Sequence, residues 1–102
     1  MDSFDVLAEP RRRRILGTLC AGDRSVGELC EELALTQPTV SKHLRVLRNA
    51  GFVSATPKAQ HRIYRLHPER FVELDAWLEP YRQLWADRLD ALERHLDQME
   101  EP

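Results

Sequence analysis

The sequence predicts a mainly α chain with a small β-hairpin, and two observations carry that expectation. Apolar residues recur at spacings of three and four through most of the chain, and only between Gly51 and Leu66 does the pattern change to short branched and aromatic runs. The breaks fall where helices begin and end, at Pro10, Gly22, Pro38, Gly51, Pro57, Pro68 and Pro80. With 102 residues and 42% hydrophobic content, the chain can bury one core, so a single domain over 1–102 is expected.

A short first helix runs from Asp2 to Ala8. Pro10 suits the first turn of a second helix, where its missing N–H does no harm, and Ile15, Leu16 and Leu19 form the apolar stripe before "AGDR" turns the chain. Glu9 is a poor N-cap by residue type. Ser25 and Glu28 have capping-box spacing, and Val26, Leu29, Cys30 and Leu33 follow as the stripe of a third helix. "ALT" is the turn after it. Thr36 is the expected N-cap of a fourth helix, with Pro38 in its first turn and Asn49-Ala50-Gly51 as its stop. The runs "FVSAT" and "HRIYRL", separated by "PKAQ", form a two-stranded hairpin. From Pro68 the chain is helical again, with Leu78, Tyr81, Trp85, Leu89, Leu92, Leu96 and Met99 along one seam. The architecture expected is a winged helix-turn-helix: helix-turn-helix over 25–50, wing over 52–66, and long C-terminal dimerisation helices over 68–99.

Charge is distributed unevenly. The net charge is -2, yet residues 1–66 hold 11 basic and 7 acidic side chains while residues 67–102 hold 4 and 10. Between Thr36 and Leu66 there are six Lys or Arg residues and no Asp or Glu. At 100° per residue, Lys42, Arg45 and Asn49 lie opposite the Val40, Leu44, Leu47 stripe, so burying the stripe turns the polar set outward. A helix in a DNA major groove needs small polar and long basic groups together. Gln37, Thr39, Ser41, Lys42 and Arg45 on the fourth helix meet that need, with Lys58 and Arg62 on the wing beside His61. Double-stranded DNA is therefore the expected partner. The terminal seam exceeds what a chain of this size covers by itself, so homodimerisation is expected through Phe4, Leu7, Leu78, Tyr81, Trp85, Leu89 and Leu92.

Other classes fit poorly. Two cysteines make no disulfide scaffold and form no C-x-x-C pair, which points to a reducing compartment. The N-terminus is acidic where a secretion signal is basic, and no apolar run approaches the roughly 20 residues that span a membrane, so a cytoplasmic protein with no membrane partner is expected. No Gly-rich phosphate loop, metal cluster or activated nucleophile can be assembled, so neither an enzyme nor a cofactor is expected. Cys30 reads as a small core residue, although a redox pair with Cys20 stays open. His43 reads as a packing or hydrogen-bonding group on the flank of the fourth helix. Arg11 to Arg14 either grip phosphate or pair with acids of a neighbouring helix. The rival functions are a winged-helix module that binds protein and a thiol-redox-responsive regulator.

"LAEPRRRRIL", "SVGELCEEL", "LTQPTVSKHLRVLRNAGFV" and "RIYRL" resemble, in order and spacing, the bacterial ArsR-type (ArsR/SmtB) winged-helix repressors over roughly residues 4–66. The resemblance implies a homodimeric repressor binding an inverted-repeat operator, often its own promoter, which in many members releases DNA on binding metal. The family's C-x-C metal motif matches Ser25 and Gly27 here, which supply no thiolate. Its C-terminal D-x-H and H-x-x-E or H-x-x-H pairs are also missing, since His95 is followed by Gln98. The chain is thus similar to the branch without the C-x-C metal site, with no metal residues and an effector that the sequence leaves unknown. The wing departs from the family in having no glycine at its tip.

Overall fold

The computed structural model describes residues 1–100, and contacts divide the chain into two compact units, residues 1–71 and the segment from Val72 onward. The elements are α1 (Ser3–Ala8), α2 (Pro10–Ala21), β1 (Arg24–Ser25), α3 (Val26–Leu33), α4 (Gln37–Asn49), β2 (Val53–Lys58), β3 (His61–Leu66) and α5 (Pro68–Glu100). This is a winged helix-turn-helix followed by a long C-terminal helix.

The core of the first unit is built from the periodic positions. Val6 of α1, Ile15, Leu16 and Leu19 of α2, Leu29 and Leu33 of α3, and Val40, Leu44 and Leu47 of α4 are buried with Phe52, Val53 and Tyr64. Burying side chains of this kind stabilises by about 1.5–3 kcal/mol each. Asp2 with Asp5 caps α1, and Ser25 with Glu28 caps α3, each pair exchanging side-chain and backbone bonds. Glu9, unpromising by type, does cap α2. Its carboxylate accepts from the Arg11 N–H at 3.1 Å, which holds that carboxyl below the usual range. Thr36 has N-cap backbone geometry, but its side chain makes no cap bond; its hydroxyl pairs with that of Thr39 at 2.9 Å.

The arginine run neither reaches an acid of a neighbouring helix nor, for the most part, remains available. Arg12 donates to the carbonyls of Val6 and Asp5, Arg13 to those of Leu7 and Ala8, and Arg14 to that of Leu33. These are C-terminal carbonyls of α1 and α3, which lack partners within their own helices, so three cations satisfy and neutralise two helix ends. Arg11 alone pairs with a carboxylate, that of Glu9.

The sheet has three strands, not two, in the order β1-β3-β2. Arg24 and Ser25 pair with Tyr64 and Ile63, a bridge too short to show an alternating pattern. β2 also runs further than "FVSAT": Pro57 pairs opposite Arg62 and Lys58 opposite His61, leaving a two-residue loop. Proline is tolerated because β2 is an edge strand. The tip lacks glycine, and Ala59 takes a left-handed φ of 55°. α5 passes through Pro80 without ending, although proline has no N–H to give to the preceding turn. Among the described residues no helix is long and apolar enough to cross a membrane.

His43 completes the buried stripe of α4, 5% exposed, with its Nδ1 3.5 Å from Nη1 of Arg12. A guanidinium only donates, so Nδ1 accepts and the ring proton belongs on Nε2. Burial pushes the imidazole below its ordinary pKa, opposed by Glu9 and reinforced by Arg12, Arg11 and Lys42. Cys30, expected in the core, is half-buried, and Cys20 is exposed; both are free thiols.

Two stability predictions follow from this geometry. A left-handed non-glycine residue costs about 1–2 kcal/mol, of which glycine's greater freedom in the unfolded chain returns about 0.4–1 kcal/mol. Ala59→Gly should therefore stabilise by up to about 1 kcal/mol in urea denaturation, and a loss would show that the tip has another conformation. Because the folded state disfavours protonated His43, its contribution is complete above the unfolded value near 6.5 and is lost as pH falls. Stability should drop as pH falls below about 6.5, by at most about 1.4 kcal/mol per pH unit for one proton, and less in His43→Gln.

Candidate nucleic-acid interface

The orientation of α4 is set at its C-terminus. The Phe52 N–H donates to the Leu47 carbonyl at 2.9 Å and the Gly51 N–H to that of Arg48 at 3.0 Å, with Gly51 at a φ of 84°. This is a Schellman motif, and Phe52 and Leu47 are both fully buried. The left-handed φ favours glycine at 51, and a Cβ there would also stand a tight 3.1 Å from Nε of Arg70, which donates to the Ala50 carbonyl. His67 then donates to the Phe52 carbonyl, tying the end of the wing to the end of the helix.

With Val40, His43, Leu44 and Leu47 inward, the outer face follows. Gln37, Lys42, Arg45, Arg48 and Asn49 are exposed, and Thr39 and Ser41 are half-buried. Thr39 has its hydroxyl engaged with Thr36. On the wing, Lys58, His61 and Arg62 are exposed at or next to the tip. Two recesses join these parts. One of about 240 Å³ lies between α4 and β3, lined by Ser41, Arg45, Arg48, Asn49, Arg62 and Tyr64 with Leu44. It holds three guanidinium groups and no carboxylate. The other, about 500 Å³, includes Gln37, Gln60, His61 and Arg62 with Ser25, Gly27 and Cys30. Arg62 lines both, so it faces the first turn and the middle of α4 together.

Of the expected helix and wing positions, Ser41, Arg45 and Arg62 line the first recess and Gln37 and Arg62 the second, whereas Thr39, Lys42 and Lys58 line neither. Arg48 and Tyr64 line the first recess without having been singled out. Arg48 was legible as one of the six cations between Thr36 and Leu66, whereas Tyr64 had no signal beyond its strand pattern. Ser25 and Gly27 border the second recess, but among the described residues no group of three or more His, Cys, Asp or Glu is arranged to hold a metal ion.

Of the candidate dimerisation residues in the first unit, Phe4 is half-exposed and Leu7 half-buried. On α5, Leu78, Tyr81, Trp85, Leu89 and Leu92 are all exposed, with Leu96 and Met99 continuing the seam. Trp77 packs its ring on Tyr81 at 4.9 Å, and Arg82 pairs with Asp75 and Glu79 alongside.

Comparison with known proteins agrees with this geometry. Residues 9–55 match the family described as bacterial regulatory protein, arsR family. The HTH-type transcriptional regulator Rv2034 of Mycobacterium tuberculosis is 33% identical over 95 residues, 93% of this chain and 86% of that protein. The transcriptional repressor SdpR of Bacillus subtilis is 31% identical over 75 residues, 74% of this chain and 83% of that one. The homodimeric winged helix-turn-helix DNA-binding domain of Mb0332 from Mycobacterium bovis, a possible ArsR-family regulator, superimposes with a TM-score of 0.64 at 28% identity, covering 78% of this chain and 73% of that one. Acid-free recognition helix, wing and these matches together make the chain a member of the arsR family of bacterial regulatory proteins.

Proposed function

We propose that this protein is a homodimeric transcriptional repressor acting in the cytoplasm, which binds an inverted-repeat DNA operator through α4 and the wing. The observation that carries the reading is the stretch from Thr36 to Leu66, cationic and without a carboxylate, whose Arg45, Arg48 and Arg62 meet around one recess between α4 and β3. α4 enters the major groove with Gln37, Thr39, Ser41 and Lys42 toward base edges, and Arg45 beside them. Lys58 and Arg62 grip phosphates along the flanking backbone, where they neutralise charge and release counterions. A protein-binding module would have no use for so one-sided a charge. The exposed α5 seam supplies the second half of the reading, because an inverted repeat is read by two copies related by a two-fold axis.

Reading and gripping are separable by measurement. Thr39→Ala, Ser41→Ala and Lys42→Ala should each remove about 1–3 kcal/mol of discrimination between a selected operator and a scrambled duplex. Lys58→Ala and Arg62→Ala should weaken both duplexes alike and lower the log-log salt slope by about one unit per contact, counted twice in a dimer. Fluorescence anisotropy across a salt series checks both. Helix variants that lost the two affinities equally, beside wing variants that lost only the specific one, would reverse the assignment.

Dimerisation is tested on α5. Trp85→Glu with Leu89→Glu brings charge into the seam and should yield monomers in sedimentation velocity, since an unpaired carboxylate in a desolvated interface is strongly unfavourable. A sedimentation profile equal to that of the unmutated protein would remove α5 from the interface.

A further inference from the structure

Gly17 stands in the middle of α2, where glycine weakens a helix relative to alanine. Nothing among the described residues asks for it. Its φ is not positive, and a Cβ built there meets no atom within 4 Å. What the missing side chain does is leave open an apolar recess of about 490 Å³, lined by Leu16, Gly17, Cys20, Leu66, Pro68 and Phe71. All six belong to the first unit, so the recess is formed by α2, the end of β3 and the first turn of α5.

The lining selects the occupant. It contains no charged side chain, which disfavours phosphate, nucleic acid and lipid headgroups. Six residues are far fewer than the roughly 20–30 per side that hold a protein partner. The volume lies within the range of about 300–1,000 Å³ typical of small-molecule sites, which are mostly apolar. The recess also leads to the DNA-binding surface. Phe71 in its wall meets the fully buried Phe52 edge-on at 5.3 Å, and Phe52 closes the C-terminus of α4.

We propose that the recess over Gly17 binds a small uncharged apolar molecule, which lowers operator affinity by displacing Phe71 and, through it, Phe52 at the end of α4. The regulatory half of this proposal rests on the operator-binding reading above; the binding half does not.

The test uses the full chain and the uncharged dye N-phenyl-1-naphthylamine. Its fluorescence should rise saturably with the unmutated protein, and Gly17→Leu, which fills the recess with a good helix former, should weaken binding by at least about tenfold. The same dye should lower operator affinity of the unmutated protein by about fivefold and leave that of Gly17→Leu unchanged. Equal dye binding by the two proteins would move the dye elsewhere, on α5 for example, and overturn the site. A shift in the sedimentation coefficient of Gly17→Leu would overturn it too, by showing a second copy seated there. Dye binding with no change in operator affinity would overturn the regulatory half. The dye titration needs no DNA, so a protein that bound no operator would still leave the site tested.

Discussion

Phe52 is the residue on which the working geometry depends. Its N–H closes α4 onto Leu47, its carbonyl receives the His67 N–H at the end of the wing, and its ring, fully buried, meets Phe71 at the start of α5. One position thus fixes three elements to one another. The reversal that brings it inward needs the left-handed backbone of Gly51, against which Arg70 packs closely. This turn joins α4 directly to β2, the first strand of the wing.

The distribution of cations follows from the same economy of helix ends. Arg12, Arg13 and Arg14 are the densest basic run in the chain, but they serve carbonyls at the ends of α1 and α3. On α4 and β3, Arg45, Arg48 and Arg62 meet around a recess that holds no acid, whereas Lys58 shares its recess with Asp23 and Glu28. A net charge of -2 does not oppose this surface. Charges separated by more than about 8 Å are largely screened at physiological salt, so a duplex responds to the face it meets and not to the sum.

α5 poses the opposite problem. Apart from Met1 and Phe4, every large apolar side chain that is markedly exposed lies on this helix. Large contiguous apolar patches left exposed are where proteins commonly meet partners. Acids and arginines lie between its apolar turns, with Arg82 paired to Asp75 and Glu79, and Val72, Trp77 and Leu84 are exposed beside the main seam.

The sequence alone determined the helical segments, the helix-turn-helix, the wing, the family resemblance and the polar face of α4, because each depends on periodicity, capping or local charge within a few residues. Ser25 with Glu28 and Asn49-Ala50-Gly51 could be read directly, since a cap is a local bond. Four things needed the fold. β1 was invisible because two residues show no alternation and pair only with a strand far away in sequence. The arginine run found carbonyl partners up to 19 residues away, where residue type suggested phosphate or acid. Pro80 reads as a break yet lies within α5. Cys30 fell at the margin of the stripe and faces a recess with the wing tip, not the core. For β1, Arg14 and Cys30 the deciding neighbours lie far along the chain, and short-range pattern carries no information about which distant group will arrive.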